Sequence, residues 1–92
     1  MEVEAVFDAL GDGTRRHILV VLSGGEQPAG TVVAALQARG AISQPAISQH
    51  LRVLREAELV TVRAEGTRRL YSVDADGLAR AQAWLAALAD PL

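Results

Sequence analysis

Residues 43–57, which read SQPAISQHLRVLREA, decide the fold of this 92-residue chain. Ile47, Leu51 and Leu54 recur at intervals of four and three residues, a spacing that puts them on one face of a helix. Ser43 stands just before this pattern and is suited to cap the helix, since its hydroxyl can accept from a free backbone N–H group of the first turn. The stretch therefore predicts a helix that buries one apolar face.

The opposite face of this helix is polar and carries side chains that suit the edges of DNA bases. Gln can pair bidentately with adenine, and Ser can donate to or accept from any base. Pro45 and Ala46 keep the leading end of the helix slim, whereas Arg52 is one turn further on, where it suits a phosphate. The residues that we expect to contact DNA from this helix are Ser43, Gln44, Pro45, Ala46, Ser48, Gln49, His50 and Arg52.

A shorter helix precedes the DNA-reading helix. Thr31 is its expected cap, Val32, Val33 and Leu36 are its expected buried face, and Gly40 ends it. Two helices joined by so short a turn predict a helix-turn-helix unit, in which the second helix enters the major groove.

Beyond the reading helix, the hydrophobic period changes to two. Val60 begins an alternating strand, residues 65–68 have turn composition, and residues 70–73 can return as a second strand. The tip of this β-hairpin is rich in arginine, and an arginine-bearing hairpin beside a reading helix forms a wing that reaches phosphates or the minor groove. The expected DNA contacts of the wing and of the helix that starts near residue 13 are Arg15, Arg16, Arg63, Thr67, Arg68 and Arg69.

Helices are also expected at both ends of the chain. Val3, Val6, Phe7 and Leu10 form one apolar stripe, and residues 75–89 carry another. A second helix covers residues 13–23 with Asp12 as its cap. The predicted architecture is mainly α with a β-hairpin, in the order α-α-α-α-β-β-α, as a single domain over residues 1–92.

Charge is distributed unevenly along the chain. The net charge is −2, but residues 13–72 carry eight arginines and four acidic residues, whereas residues 1–12 and 73–92 are acidic. Local charge sets a nucleic-acid footprint, so the basic middle is compatible with DNA binding.

The composition argues against several other classes of protein. Without cysteine there are no disulfides, thiolate metal sites or cysteine nucleophiles. No apolar run approaches the roughly 18–20 residues that span a bilayer, and the acidic start is unlike a secretory signal. His17 and His50 have no evident ligand or nucleophile partners. We therefore expect a cytoplasmic protein that is not an enzyme, has no cofactor or metal, and does not contact a membrane.

Three segments together resemble a known family. Residues 9–19 (ALGDGTRRHIL), residues 43–57 and the hairpin residues 65–71 (EGTRRLY) are similar to the ArsR-type, or arsenic-repressor-like, winged helix-turn-helix regulators. The resemblance extends over roughly residues 5–88 and is nearest to the metal-independent, autorepressor-like branch. Glu58 stands where the family usually ends the reading helix with Gly, and a left-handed backbone there would cost Glu about 1 kcal/mol.

The resemblance implies a bacterial homodimeric repressor that binds a palindromic operator. It implies that the first and last helices form the dimer seam, which would place two reading helices about 34 Å apart, one turn of DNA. The seam residues would be Val3, Val6, Phe7, Leu10, Leu78, Ala81, Trp84, Leu85 and Leu88. Two alternatives remain open: a winged-helix module that binds protein instead of DNA, and a metal-responsive repressor with an unrecognised site.

Overall fold

The computed structural model describes residues 3–90. Local patterns in the sequence account for the positions of its helices. The elements are α1 (Val3–Leu10), α2 (Gly13–Leu22), β1 (Gln27–Pro28), α3 (Ala29–Gln37), α4 (Gln44–Glu56), β2 (Val60–Glu65), β3 (Arg68–Val73) and α5 (Ala75–Leu88). The two ends of the predicted domain, residues 1–2 and 91–92, lie outside the described residues, and so does Glu2 of the acidic start. The mainly α winged helix-turn-helix fold is confirmed.

The predicted caps of α2 and α4 are confirmed. The Asp12 carboxylate accepts from the backbone N–H of Arg15 at 3.1 Å, and the Ser43 hydroxyl accepts from the backbone N–H of Ala46 at 3.2 Å. Each bond satisfies an N–H group that has no partner within its helix.

The predicted cap of α3 is wrong. The helix begins at Ala29, and Pro28 occupies the cap position without a side-chain hydrogen bond. Thr31 lies inside the first turn. Pro28 has an extended backbone at ψ 152°, which takes it out of the helix and lets it pair in the sheet.

The sheet has one strand more than the sequence predicts. The strand order is β1-β3-β2, and both pairs are antiparallel. The short strand β1 pairs Gln27 with Tyr71 and Pro28 with Leu70, in a segment for which the sequence predicts no strand. β3 also begins at Arg68, two residues before its predicted start. Pro28 at this edge strand is consistent with its missing N–H group.

The helices α1 to α5 all contribute to one hydrophobic core. The apolar face predicted for α4 is confirmed, since Ile47, Leu51 and Leu54 are buried. The other buried members of this cluster are Val6, Ala9, Ile18, Leu22, Val32, Leu36, Ala57, Leu59, Val60, Tyr71 and Ala81. Packing of α4 by this face leaves its opposite face to solvent.

The link between α4 and β2 positions the wing and α5. Glu58 adopts φ 61°, a left-handed backbone conformation at the position where the resembled family usually has Gly. The backbone N–H of Asp74, the cap of α5, donates to the Leu59 carbonyl at 2.9 Å. Arg80 of α5 donates to a Glu58 carboxylate oxygen at 3.1 Å. The start of α5 is thereby attached to the end of α4.

Candidate nucleic-acid interface

The solvent face of α4 presents polar side chains that have no hydrogen-bond or ion-pair partner within the described part of the chain. Gln44, Ser48, Gln49 and Arg52 are exposed, and none of their side chains has a hydrogen bond or ion pair within residues 3–90. Their donors and acceptors are therefore available to an external partner with complementary polar groups.

The leading end of α4 is narrow, as its composition predicts. Pro45 is exposed and Ala46 is half-buried, so neither adds a long side chain beside Gln44. Ser43 is exposed but its hydroxyl serves as the helix cap, which leaves it less free than its neighbours for a second role.

The tip of the hairpin carries unpaired positive charge. Gly66 adopts φ 61° in the turn between β2 and β3, a conformation that suits glycine. Thr67, Arg68 and Arg69 are exposed, and within residues 3–90 the two guanidinium groups have no acidic partner. They form a cationic tip that can reach a phosphate.

The wing tip faces the amino end of α3 across a cleft of about 370 Å³, which is lined by Pro28, Ala29, Gly30, Thr67, Arg68 and Arg69. Because α3 has no side-chain cap, its first N–H groups keep the partial positive charge of a helix amino end. The cleft thus combines two sources of positive potential, which favours an anion such as a DNA phosphate.

Arg63 differs from the other wing arginines because it is already paired. Its Nε and Nη2 atoms donate to the two carboxylate oxygens of Glu26 at 2.8 and 2.7 Å, and Nη2 also contacts Glu65 at 3.2 Å. The Arg63 hydrogen bonds hold the pKa of the Glu26 carboxyl below its usual value, and the same contact raises the pKa of Arg63. Its charge is largely neutralised within the protein.

Arg15 and Arg16 turn back onto the end of α1. Arg15 donates from Nε to the Ala9 carbonyl at 2.8 Å and from Nη2 to the Asp8 carbonyl at 2.9 Å. Arg16 donates from Nη1 to the Leu10 carbonyl at 2.8 Å. Cations at the carboxyl end of a helix stabilise its free carbonyl groups. Nδ1 of the half-buried His50 on α4 lies 3.1 Å from Nη1 of Arg15.

The residues expected in the dimer seam divide into two groups. Val6 and Ala81 are buried in the core of the protomer, and Val3, Phe7 and Leu10 are half-buried. On α5, Leu78, Trp84, Leu85 and Leu88 are exposed, the last three by 41%, 50% and 70%. Phe7 and Trp84 pack with ring centroids 5.1 Å apart and ring planes tilted by 54°, so α1 and α5 present one joint apolar surface.

Two of these arrangements were not predicted from the sequence. Glu26 is separated from Arg63 by 37 positions, and no local pattern reports such a pairing. The sequence does contain a signal for the cap that Arg15 and Arg16 form on α1, because two cations closely follow the end of a short helix.

The described residues hold no cluster of three or more His, Cys, Asp or Glu side chains that could bind a metal ion. His17 lies on α2 and His50 on α4. Within residues 3–90 no helix is long and apolar enough to cross a membrane.

Comparison with known proteins identifies a domain family and several regulators that are similar to this chain. A helix-turn-helix domain family matches residues 10–63. The HTH-type transcriptional regulator Rv2034 of Mycobacterium tuberculosis is 45% identical over 76 residues, which are 83% of this chain and 67% of the relative. The transcriptional repressor SdpR of Bacillus subtilis is 36% identical over 80 residues, 87% of this chain and 84% of the relative.

Solved structures share the fold. The crystal structure of an ArsR family transcriptional regulator superposes with a TM-score of 0.77 at 25% identity and covers 92% of this chain and 84% of that one. The solution structure of a homodimeric winged helix-turn-helix DNA-binding domain from Mycobacterium bovis has a TM-score of 0.74 at 32% identity. Its match covers 96% of this chain and 78% of that one.

Proposed function

Because the chain belongs to the ArsR family of winged helix-turn-helix transcriptional regulators, we propose that it represses transcription as a homodimer on a palindromic operator. Its relatives are transcriptional regulators and repressors, and its own function is DNA-binding regulation. Repression would be steric, through occupation of a promoter by a cytoplasmic protein that performs no chemical step.

The observation that carries this proposal is the free polar face of α4 beside an unpaired cationic wing tip. Gln44, Ser48 and Gln49 would read base edges in the major groove. Arg52 would bind a phosphate one turn further along the helix. A surface built for a protein partner would instead present a contiguous apolar patch, whereas this face of α4 is exposed and polar.

The wing supplies the flanking contacts in this proposal. Arg68, Arg69 and the amino end of α3 would hold backbone phosphates in the cleft between them. Arg63 would act mainly through Glu26, since their bidentate pair joins β2 to the segment before α3 and so orients the wing.

The exposed apolar surface of α5 supports a dimer. Leu85 and Leu88 are long apolar side chains that face solvent in the protomer, and a chain of this size gains from burying more apolar area. One solved relative is homodimeric. In our proposal, Trp84, Leu85 and Leu88 with Phe7 form the centre of the seam.

We also propose that release from the operator does not use a thiolate metal site. The present chain contains no cysteine, so it lacks the soft ligands that such a site would need. Operator affinity that is equal with a thiophilic metal and with a chelator would agree with this view.

Selection of bound DNA from a random-sequence pool tests the proposed function. The expected product is an imperfect palindrome whose half-site centres lie about one helical turn apart. Absence of any enriched sequence would favour the protein-binding alternative, and an enriched site without two-fold symmetry would contradict the homodimer.

A further inference from the structure

Arg15 connects three helices at one point. From α2 it donates two hydrogen bonds to the carboxyl end of α1, to the Ala9 carbonyl at 2.8 Å and the Asp8 carbonyl at 2.9 Å. Its remaining terminal nitrogen, Nη1, lies 3.1 Å from Nδ1 of His50 on α4. Arg15 is half-buried, and each nitrogen of its guanidinium group has a partner within the protein.

The chemistry of the Arg15–His50 contact determines the tautomer of His50. A guanidinium group donates only and stays protonated throughout the range in which proteins are folded. His50 Nδ1 must therefore accept this hydrogen bond. A neutral imidazole with an accepting Nδ1 carries its proton on Nε2, so His50 offers a single N–H donor from the other side of its ring.

We infer that Arg15 is a positioning residue of the DNA-reading surface, which fixes His50 as an Nε2–H donor and holds α4 in place against the end of α1. The inference rests on the proposed function, because it concerns how the reading helix is presented to the operator. Since α1 belongs to the proposed dimer seam, the same contact links the seam to the reading helix of each protomer.

The alternative role for Arg15 is a direct contact with a DNA phosphate. The salt dependence of DNA affinity distinguishes this role from positioning. Each phosphate contact that is lost flattens the plot of log affinity against log salt by about 0.9 and weakens binding to every DNA sequence alike. A positioning residue changes the geometry of base reading instead. Loss of a positioning residue should lower the ratio of operator affinity to random-DNA affinity.

The decisive comparison uses Arg15→Met, which cannot donate, with Arg16→Met as the matched control. Arg16 is the neighbouring arginine and also donates to the end of α1, through Leu10 at 2.8 Å, but within residues 3–90 it makes no hydrogen bond to α4. Both variants remove one charge. We expect Arg15→Met to reduce the operator to random-DNA affinity ratio by on the order of tenfold with the wild-type salt slope, whereas Arg16→Met should keep the wild-type ratio, since a phosphate contact acts on all sequences alike. A salt slope of Arg15→Met flatter than the wild-type slope by about 0.9, with the ratio unchanged, would overturn the inference.

Nitrogen NMR of His50 in the DNA-free protein gives an independent test that does not need an operator. In the wild-type chain with a neutral His50 ring, we expect the proton on Nε2 and an unprotonated, accepting Nδ1. In Arg15→Met, the two tautomers should mix, whereas Arg16→Met should retain the wild-type spectrum. A wild-type His50 with its proton on Nδ1 would overturn the inference even if Arg15→Met failed to fold. Absence of operator binding with the expected tautomer would instead place the failure in the proposed function.

Discussion

Gly77 of α5 packs directly against the main chain of Glu58. A Cβ atom on Gly77 would lie 2.9 Å from the carbonyl carbon of Glu58 and closer still to its oxygen. Only a residue without a side chain permits α5 to start at this point, with its cap Asp74 bonded to the Leu59 carbonyl. The junction between the reading helix and the last helix therefore depends on one glycine.

Substitution Gly77→Ala should destabilise the fold by about 3 kcal/mol, the upper range for overpacking, since the blocking atoms belong to backbone that cannot rotate away. The free energy of unfolding in urea measures this loss. Gly30→Ala is the matched control, because Gly30 also lies in the first turn of a helix but a Cβ atom added there would meet nothing within 4 Å. Equal stability of the two variants would contradict the packing described for Gly77.

Asp12 should make stability depend on pH in the acid range. The backbone N–H of Arg15 lowers the pKa of the Asp12 carboxyl, so the charged cap favours the folded state above the ordinary aspartate pKa of about 3.9. This contribution is lost as pH falls through the lowered pKa of the folded state. In the variant Asp12→Asn, the new amide side chain still caps the helix but does not titrate.

The difference in unfolding free energy between the wild-type chain and Asp12→Asn should therefore be constant near pH 7. Below about pH 4, the wild-type chain should lose stability relative to the variant. Thermal or urea unfolding at several pH values gives this difference. A difference that does not change with pH would show that the Asp12 cap does not depend on its charge.

Arg68 and Arg63 should differ in their effect on DNA binding although both belong to the wing. Arg68 has no acidic partner within residues 3–90, whereas Arg63 is held by Glu26 and Glu65. Arg68→Ala should weaken binding to all sequences and flatten the salt slope by about 0.9, as one phosphate contact is lost. Arg63→Ala should change the slope much less. Fluorescence anisotropy titrations at several salt concentrations would compare them, and an equal slope change would contradict the neutralised role of Arg63.

The exposed end of α5 should control the oligomeric state. Leu88→Glu places a charge on a side chain that is 70% exposed in the protomer, so the protomer should still fold while the seam is disrupted. Val20→Glu is the control, since Val20 is 65% exposed on α2, outside the proposed seam. Light scattering should report the 9.7 kDa protomer for Leu88→Glu and twice that mass for Val20→Glu. A dimeric Leu88→Glu would place the seam elsewhere.

The sequence predicts those parts of the fold that depend on neighbouring residues. The Ser43 cap, the buried face of α4 and the hairpin follow from spacings within one element, so local patterns are enough to find them. The left-handed backbone at Glu58 was considered only through the resemblance to a family. It costs a non-glycine residue about 1 kcal/mol, and the start of α5 packs against it.

Contacts between distant parts of the chain were not predictable in the same way. Strand β1 is only two residues long and owes its existence to pairing with β3, so its own composition resembles a loop. The Glu26–Arg63 pair and the Arg15–His50 contact join segments 37 and 35 positions apart. Among the candidate DNA contacts, the sequence alone could not tell Arg63, which is paired with acidic residues, from Arg68, which has no acidic partner within residues 3–90.

The affinity of Gln49→Ala for the selected operator tests the central claim most directly. Gln49 is exposed on the proposed reading face of α4, and Gln82, exposed on α5, provides the control Gln82→Ala. A bidentate base contact contributes about 1–3 kcal/mol of discrimination. We therefore expect Gln49→Ala to bind the operator roughly fivefold to 150-fold more weakly, with unchanged affinity for random DNA and an unchanged salt slope, while Gln82→Ala behaves as wild type. Wild-type operator affinity in Gln49→Ala would contradict the assignment of this face as the one that reads DNA.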